Sequence, residues 1–217
     1  MLAAKFFQGR SRSRSYVSAF LGALAALLIA ATAKAETSVD DATAMIEQIG
    51  QDFLNVLGPE GQEDDGQFDR LTELLQDAIN LDTTGKLILA RNWRSASDQQ
   101  RQDYLDLFRP YALDTLASKI SASSTETPLK SFKVVKGEPI GKDDVLVSTD
   151  LFWSGFPPYR LDWRLRSRGD GQLQAIDVMV QGISMVVTQR AEFASVIERR
   201  GLNGLLDKMR DQVDRQF

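Results

Sequence analysis

The sequence predicts an α+β domain in which helices cover a four-stranded antiparallel sheet. Apolar residues recur every three or four positions up to about residue 120, at every second position from 132 to 180, and with helical spacing again beyond 184. The first spacing is that of an amphipathic helix and the second that of a half-buried strand. Short connections between the predicted strands favour a meander, and helices at both ends of the chain would then cover the sheet.

Four helical segments precede the sheet. The first runs from Val39 to the Gly58-Pro59 stop, the second spans residues 68–79, and Asp82 is expected to cap a third that extends to Trp93. Residues 97–100 form a capping box at the start of a long helix that reaches about residue 120. Because Pro110 lacks an N–H and clashes with the preceding turn, we expect a kink or break at residues 106–109.

Alternation then predicts strands at 132–136, 145–152, 159–166 and 172–180, separated by glycine- and proline-containing turns. The third strand is the clearest, since its apolar side chains alternate with Arg160, Asp162, Arg164 and Arg166. After the sheet, Ser184 is expected to cap a helix that Gly201 closes, and a short helix follows over 203–213.

The first 35 residues are expected to be a secretory signal peptide. Its four cations precede an uncharged, Ala- and Leu-rich run at 16–32, and the small-x-small sequence of residues 33–35 follows as a cleavage site. An uncleaved membrane anchor is the alternative. Cleavage would leave a single domain, residues 36–217, exported to the periplasm, and would take the formal net charge from −4 to −9.

Composition excludes several function classes. An acidic chain disfavours nucleic-acid binding, which needs a clustered basic face. The absence of histidine and cysteine rules out Ser/His and Cys/His catalysis and imidazole or thiolate metal sites. We therefore expect no metal and no cofactor, and a pair of carboxylates is the remaining route to an enzyme.

Three groups of residues are candidates for a site. Asp177 is the acid that could point inward, although a strand acid paired with an arginine is the simpler interpretation. Arginines suit phosphate or carboxylate recognition but also form solvated strand faces; they are Arg91, Arg94, Arg160, Arg164, Arg166, Arg168 and Arg190. The apolar side chains either fill a core or line a pocket, which periodicity does not distinguish.

Three motifs resemble one protein family. Residues 177–184, 190–193 and 201–205 fit the pattern D-V-x-x-x-G-[VI]-S, R-x-x-F and G-L-x-x-L, and residues 91–100 fit R-x-W-[RK]-x-A-[ST]-x-x-Q. Residues 160–165 are similar to the third-strand block. Together these motifs resemble the periplasmic phospholipid carrier of the Mla (maintenance of lipid asymmetry) pathway, an auxiliary component of an ABC transporter. Ala90 stands where that family has a glycine.

The resemblance implies an apolar cavity between sheet and helices that shelters acyl chains, with the headgroup near solvent. It further implies a monomeric, non-enzymatic shuttle between an outer-membrane lipoprotein complex and an inner-membrane ABC transporter complex, with transient docking to each. No residue is assigned a catalytic role, and Arg91 and Arg190 are expected to contact the headgroup or a partner. The predicted lipid contacts are Trp93, Phe108, Tyr111, Val147, Leu161, Trp163, Ile176, Val178, Val187, Phe193 and Ile197.

Three alternatives stay open. The ligand could be a hopanoid or another amphiphile, because a related branch of the family is associated with hopanoid genes. The domain could also be a cone-shaped α+β hydratase or isomerase, which requires an inward carboxylate such as Asp177. A domain with a filled core that acts as an envelope adaptor is a further possibility.

Overall fold

The computed structural model describes residues 38–59, 61, 66–124, 127–168 and 170–215. The predicted signal peptide lies outside these residues. Within the described residues, six helices and five strands follow one another in the order that the sequence predicts: helices, sheet, helix. Their bounds are α1 Val39–Leu57, α2 Gln67–Ala78, α3 Leu81–Leu89, α4 Arg91–Ser95, α5 Asp98–Ser124, β1 Leu129–Ile140, β2 Asp144–Trp153, β3 Tyr159–Ser167, β4 Leu173–Val180, β5 Ile183–Ser184 and α6 Met185–Val213.

The sheet is an antiparallel meander in the order β1-β2-β3-β4-β5. The predicted α+β class and antiparallel sheet are confirmed. The two-residue β5 is a fifth strand beside the four that were predicted. Residues that face each other across an antiparallel ladder lie on the same side of the sheet. The inner side therefore carries successive rows: Val145–Leu165–Ala175, Val147–Trp163–Val178, Val134–Thr149–Leu161–Val180 and Phe132–Leu151–Tyr159.

Helix ends follow the predicted capping chemistry in two places. The Ser97 hydroxyl accepts the Gln100 N–H at 3.2 Å, and the Gln100 side chain accepts the Ser97 N–H at 3.1 Å. The Ser184 hydroxyl accepts the Val187 N–H at 3.0 Å at the start of α6. The predicted closure at Gly201 is also present, since its backbone (φ 69°, ψ 174°) leaves the helical region and divides α6 into two segments.

The predicted third helix differs from the structure in two details. Asn80, not Asp82, is the cap of α3, accepting the Thr83 N–H at 2.9 Å. The segment also ends at Ala90, whose positive φ of 50° separates α3 from the short helix α4. Asp82 in the first turn instead binds Arg109 of α5, with Nε and Oδ1 at 2.7 Å.

Of the predicted kink or break at residues 106–109, the break is wrong, because α5 is continuous through Pro110. Proline removes one N–H from the helix ladder, but the surrounding turns are anchored in the core. Tyr104, Phe108 and Tyr111 of this helix are buried. The Tyr104 hydroxyl donates to the Gly85 carbonyl of α3 at 3.0 Å, where the missing side chain lets the Phe108 ring approach. Tertiary packing thus outweighs the local defect.

The core lies between the inner side of the sheet and the helices. Helix α1 packs on β1, with Gly50 lying against the Phe132 ring, and α3 and α6 pack on β4. Aromatic rings fill the centre: Tyr104 stacks on Phe108 with centroids 5.5 Å apart, and Phe193 of α6 contacts Tyr104 and Tyr111 at 6.4 and 5.9 Å. Within the described residues, no helix is long and apolar enough to cross a bilayer.

Candidate functional site

An apolar cavity of about 480 Å³ opens at the end of the sheet where β2 ends, β3 begins and β4 ends. It lies beyond the row that contains Trp163, so its wall begins with Leu161 and Val180. The cavity is of the size that small-molecule ligands occupy. Its lining residues are Lys119, Ile120, Thr127, Leu151, Trp153, Phe156, Tyr159, Leu161 and Val180.

The chain builds this wall from strand alternation and one helix end. Leu151 faces Tyr159 and Leu161 faces Val180 across adjacent ladders, so all four side chains lie on the inner side of the sheet. Lys119 and Ile120 come from the last turns of α5. Phe156 lies in the turn between β2 and β3 and is 57% exposed, which places an aromatic ring at the mouth.

Trp163 lies one row further along the sheet and is buried in the core. Its indole Nε1–H donates to the Thr149 hydroxyl at 3.0 Å, and that hydroxyl donates to the Leu161 carbonyl at 3.1 Å. The ring also contacts Phe53 of α1, with centroids 6.3 Å apart. Because its polar atom is bonded and its ring is packed, the indole is held in one position in the core beside the row that contains Leu161.

The wall is predominantly apolar. Lys119 is the charged side chain among the lining residues that the structure describes, and no described lining residue is an Asp or Glu. A second cleft, of about 510 Å³ between α1 and β1, is lined mainly by polar side chains such as Glu47, Gln48, Gln51 and Lys133. The apolar wall of the cavity favours an apolar ligand there, whereas the polar wall of the second cleft does not.

One of the predicted lipid contacts, Leu161, lines the cavity. Phe108, Tyr111, Val147, Trp163, Ile176 and Phe193 are buried, and Trp93, Val178 and Ile197 are half-buried against the core. Val187 is 57% exposed. Burial raises the pKa of the Tyr111 hydroxyl, with the Glu192 charge adding to it. The structure thus brings most of the predicted set together inside the core, and their contact with a ligand stays a prediction.

The two predicted cationic contacts lie apart from the cavity lining. The Arg190 guanidinium donates to the Leu87 carbonyl at 3.1 and 2.8 Å and thereby ties α6 to α3. Arg91 is exposed on α4, which precedes α5. Lys119, which lines the cavity, lies 21 residues after the first residue of α5. At the helical rise of 1.5 Å per residue, about 30 Å of helix separates them.

Asp177 stabilises the start of α6. Its carboxylate accepts the Ser184 hydroxyl at 2.5 Å and the Val186 N–H at 3.1 Å. A carboxylate at a helix N-terminus satisfies free amides and complements the helix dipole. Asp177 is not among the residues that line the cavity. Its geometry therefore accounts for the acid without a catalytic role.

The strand arginines are paired on the outer side of the sheet. Arg164 and Arg166 both bind the buried Asp144, with Nε atoms at 2.7 and 2.6 Å from its oxygens, and Arg160 binds Asp150 at 2.7 Å. Burial raises the pKa of Asp144, but the hydrogen bonds and charges of Arg166 and Arg164 outweigh it and hold that pKa below its usual value. These guanidinium groups are engaged within the sheet, which favours the structural interpretation of the arginine set.

The motif at 91–100 also has a structural explanation. Arg101 donates through Nε to the Trp93 carbonyl at 2.9 Å and through a terminal nitrogen to the Arg94 carbonyl at 3.1 Å, satisfying the end of α4. Lys86 and Arg101 lie 5.5 and 5.6 Å from the Trp93 ring centroid, within cation–π range. Trp93 therefore anchors the corner between α3, α4 and α5.

Sequence reasoning missed most of the cavity wall, namely Lys119, Ile120, Thr127, Leu151, Trp153, Phe156, Tyr159 and Val180. Leu151, Trp153 and Tyr159 continue the alternation that gave Val147 and Leu161, so their inward direction was available from the pattern. Phe156 carried a further signal, because an aromatic residue in a Gly- and Pro-rich turn has no strand face to bury it.

Comparison with known proteins matches this chain to one family. A model of the MlaC protein family matches residues 47–211. The fold is also similar to the solved structure of a phospholipid-binding protein from Ralstonia solanacearum in complex with a phospholipid, with a TM-score of 0.61 at 21% sequence identity. That match covers 80% of this chain and 97% of the other. Since the family match spans well over half of the sequence, the chain belongs to the MlaC protein family.

Proposed function

We propose that this protein binds a lipid in the apolar cavity and carries it through the periplasm. The observation that carries this proposal is an apolar cavity at the open end of the sheet, with a cationic side chain beside it, in a member of the MlaC family. A similar fold from Ralstonia solanacearum has been solved with a phospholipid, which supports the same ligand class.

The energetics explain why a carrier needs such a cavity. Each methylene group transferred from water to an apolar environment gains roughly 0.8 kcal/mol. Exposing a chain of about 16 carbons to water therefore costs roughly 13 kcal/mol, which a carrier must offset for the chain to leave a bilayer and cross an aqueous compartment. No chemical step is involved, and we propose that the protein is not an enzyme and needs no cofactor or metal.

The cellular role follows from the proposed export. The signal peptide would deliver the mature domain, residues 36–217, to the periplasm as a monomer. There it would shuttle lipid between an outer-membrane lipoprotein complex and an inner-membrane ABC transporter complex as the soluble component of a transport system that maintains outer-membrane lipid asymmetry. Loading and release would require each complex to favour a different conformation of the cavity. A partner shifts the equilibrium between two conformations only if it binds one of them more tightly than the other. Exposed Arg91, distant from the cavity, is suited to contact such a partner and not the headgroup.

The rival enzymatic function has less support. A carboxylate-dependent hydratase or isomerase requires an acid directed into the cavity, and its candidate, Asp177, is bonded to Ser184 and Val186 at the start of α6. A hopanoid is an alternative ligand for the same cavity, and identification of the bound molecule distinguishes it from a phospholipid.

Lipid extraction from protein purified without detergent tests the proposal. We expect a stoichiometric lipid in the wild type and less of it in Leu161→Trp, whose larger side chain occupies part of the cavity. Displacing only two methylenes costs roughly 1.6 kcal/mol, which is about a tenfold loss of affinity.

The matched control is Val135→Trp, which adds the same side chain at an exposed position of β1 outside the cavity lining. This variant is expected to retain wild-type lipid. Wild-type protein that is clean of lipid and takes up none from vesicles contradicts the proposed function.

A further inference from the structure

Five cations of this acidic chain lie together where α3, α4, α5 and α6 meet. We call them the basic corner: Lys86, Arg91, Arg94, Arg101 and Arg190. Lys86 and Arg101 lie 5.5 and 5.6 Å from the centroid of the Trp93 ring, and Arg190 donates to the Leu87 carbonyl. The mature chain would carry a formal net charge of −9, so the corner has the sign opposite to that of the whole molecule.

Contacts within the fold account for three of these five residues. Arg101 satisfies the end of α4, Arg190 ties α6 to α3, and Lys86 packs on an aromatic ring. Arg91 and Arg94 are exposed, and neither side chain bonds to any residue that the structure describes. Packing and internal hydrogen bonds therefore do not explain these two arginines.

Little of the positive charge is neutralised within the protein. In the part of the chain that the structure describes, Arg101 is the residue of the corner with an ion pair, to Asp98 at 3.1 Å. Arg91 and Arg94 are three residues apart on one helix, so they are neighbours on its surface, where like charges repel. This arrangement is slightly destabilising on its own, which favours a role in an external contact.

Trp93 holds the two exposed arginines in place. Its ring contacts Tyr104 of α5 with centroids 6.4 Å apart, and its carbonyl accepts a hydrogen bond from Arg101 at 2.9 Å. The backbone that carries Arg91 and Arg94 is thus fixed before a partner arrives, which lowers the entropic cost of docking. Each guanidinium offers a planar pair of donors that fits a carboxylate.

An acidic protein fits the basic corner better than an anionic bilayer does. Lys119 at the cavity lies 18 residues after Arg101 in the same helix, about 27 Å along its axis. A bilayer on the corner would therefore hold the cavity away from the membrane. Between residues 81 and 101 there is also no exposed large apolar side chain that could enter a bilayer. A protein can bind the corner while the cavity stays accessible.

We propose that the basic corner docks onto an acidic surface of a partner protein, with Arg91 and Arg94 bound to its carboxylates. This proposal rests on the proposed carrier function and adds the chemistry of one docking partner. Salt screens contacts between exposed charges, so docking is expected to weaken as the ionic strength rises. The cavity, toward the other end of α5, stays open for exchange of its ligand.

Photo-crosslinking at Ser95, which is exposed beside Arg94, identifies what the corner contacts. A photoreactive phenylalanine analogue is placed there or at Ser131, which is exposed on β1, and each variant is irradiated in cells that export the protein. We expect position 95 to give a protein adduct whose linked segment is rich in Asp and Glu, and position 131 to give no adduct with that segment. A lipid adduct at position 95, no adduct there, or a linked segment without acidic residues overturns the proposal.

Charge reversal in the Ser95 crosslinking variant tests the two arginines. Arg91→Glu with Arg94→Glu is expected to lower the yield of the adduct at least about tenfold, because attraction becomes repulsion. Lys133→Glu with Lys142→Glu changes the total charge equally, at exposed positions on β1 and in the turn after it, and is expected to leave the yield unchanged. Lysine in place of the linked acids of the partner should restore the adduct of the reversed variant. Equal yields in the two double variants, or no restoration, overturn the proposal.

Lipid extraction separates this proposal from the proposed function. The protein with Arg91→Glu and Arg94→Glu is expected to retain as much lipid as the wild type, because its corner is distant from the cavity. Loss of lipid from this variant would place the arginines in ligand binding and overturn their docking role. Wild-type protein that neither retains nor takes up lipid contradicts the carrier function, whatever the basic corner binds.

Discussion

Local structure explains two residues that stand out in the sequence. Asp177, the acid most suggestive of catalysis in the sequence, accepts hydrogen bonds from Ser184 and Val186 at the start of α6. Ala90 stands where the family resemblance has a glycine, and its backbone (φ 50°, ψ −116°) lies in a region that glycine occupies more readily than alanine. Both features concern local structure, and neither lies in the cavity wall.

The strain at Ala90 leads to a stability prediction. Ala90→Gly is expected to raise the free energy of unfolding by about 1 kcal/mol, because the relief of positive φ exceeds the entropy that glycine adds to the unfolded chain. Chemical denaturation at neutral pH measures the change. Ala191→Gly, at an exposed helical position of α6, should instead lower stability by about 1 kcal/mol, and loss of stability in both variants would contradict the assignment.

Asp144 gives a pH prediction. Its pKa is lowered in the folded protein, so its contribution to stability is complete above the unfolded pKa of about 3.9 and is lost as the pH falls through the folded value. Asp144→Asn is expected to cost about 1–2 kcal/mol at pH 7, because Arg164 and Arg166 lose the carboxylate that they bind, while their partial exposure lets water replace part of that interaction.

The same pair of proteins tests the sign of this effect. Urea unfolding at pH 7 and pH 3 should show a larger loss of stability on acidification in the wild type than in Asp144→Asn. Parallel losses in the two proteins would mean that Asp144 does not couple folding to pH.

At the scale of whole elements, local signals located most boundaries and failed where packing competes with them. The caps at Ser97 and Ser184 and the closure at Gly201 are confirmed, because each depends on backbone groups within a few residues. The break at Pro110 is wrong, since the burial of Tyr104, Phe108 and Tyr111 against other elements sustains α5. These contacts join residues that are far apart in the sequence, so the residues around Pro110 do not reveal them.

The kink in α6 depends on one glycine. Gly201 has φ 69° and ψ 174°, a combination that side chains with a Cβ rarely adopt. Gly201→Ala is expected to lower the free energy of unfolding by about 2 kcal/mol, measured by denaturation. Glu198→Ala, at an exposed position in the same helix, should change stability by less than about 0.5 kcal/mol; a comparable effect of both variants would contradict the strain.

At the scale of the molecule, the sequence contained the fold class and the side of the sheet that faces inward, but not the position of the cavity. The alternation that places Val147 and Trp163 inward also places Leu151, Tyr159 and Leu161 there. Whether a row is packed or hollow depends on which helix covers it, a property of the whole assembly. The predicted contacts therefore concentrate at the middle of the sheet, and the cavity lies at its end.

Photo-crosslinking shows whether the cavity at the end of the sheet holds the lipid. A photoreactive phenylalanine analogue is placed at Phe156, at the cavity, or at Phe68, which is similarly exposed but on α2 and outside the cavity lining. Each variant is irradiated in cells that export the protein, and the adduct is identified by mass spectrometry. We expect a lipid adduct at position 156 and none at position 68. Equal labelling at both positions, or no lipid at position 156, would contradict lipid binding in the cavity.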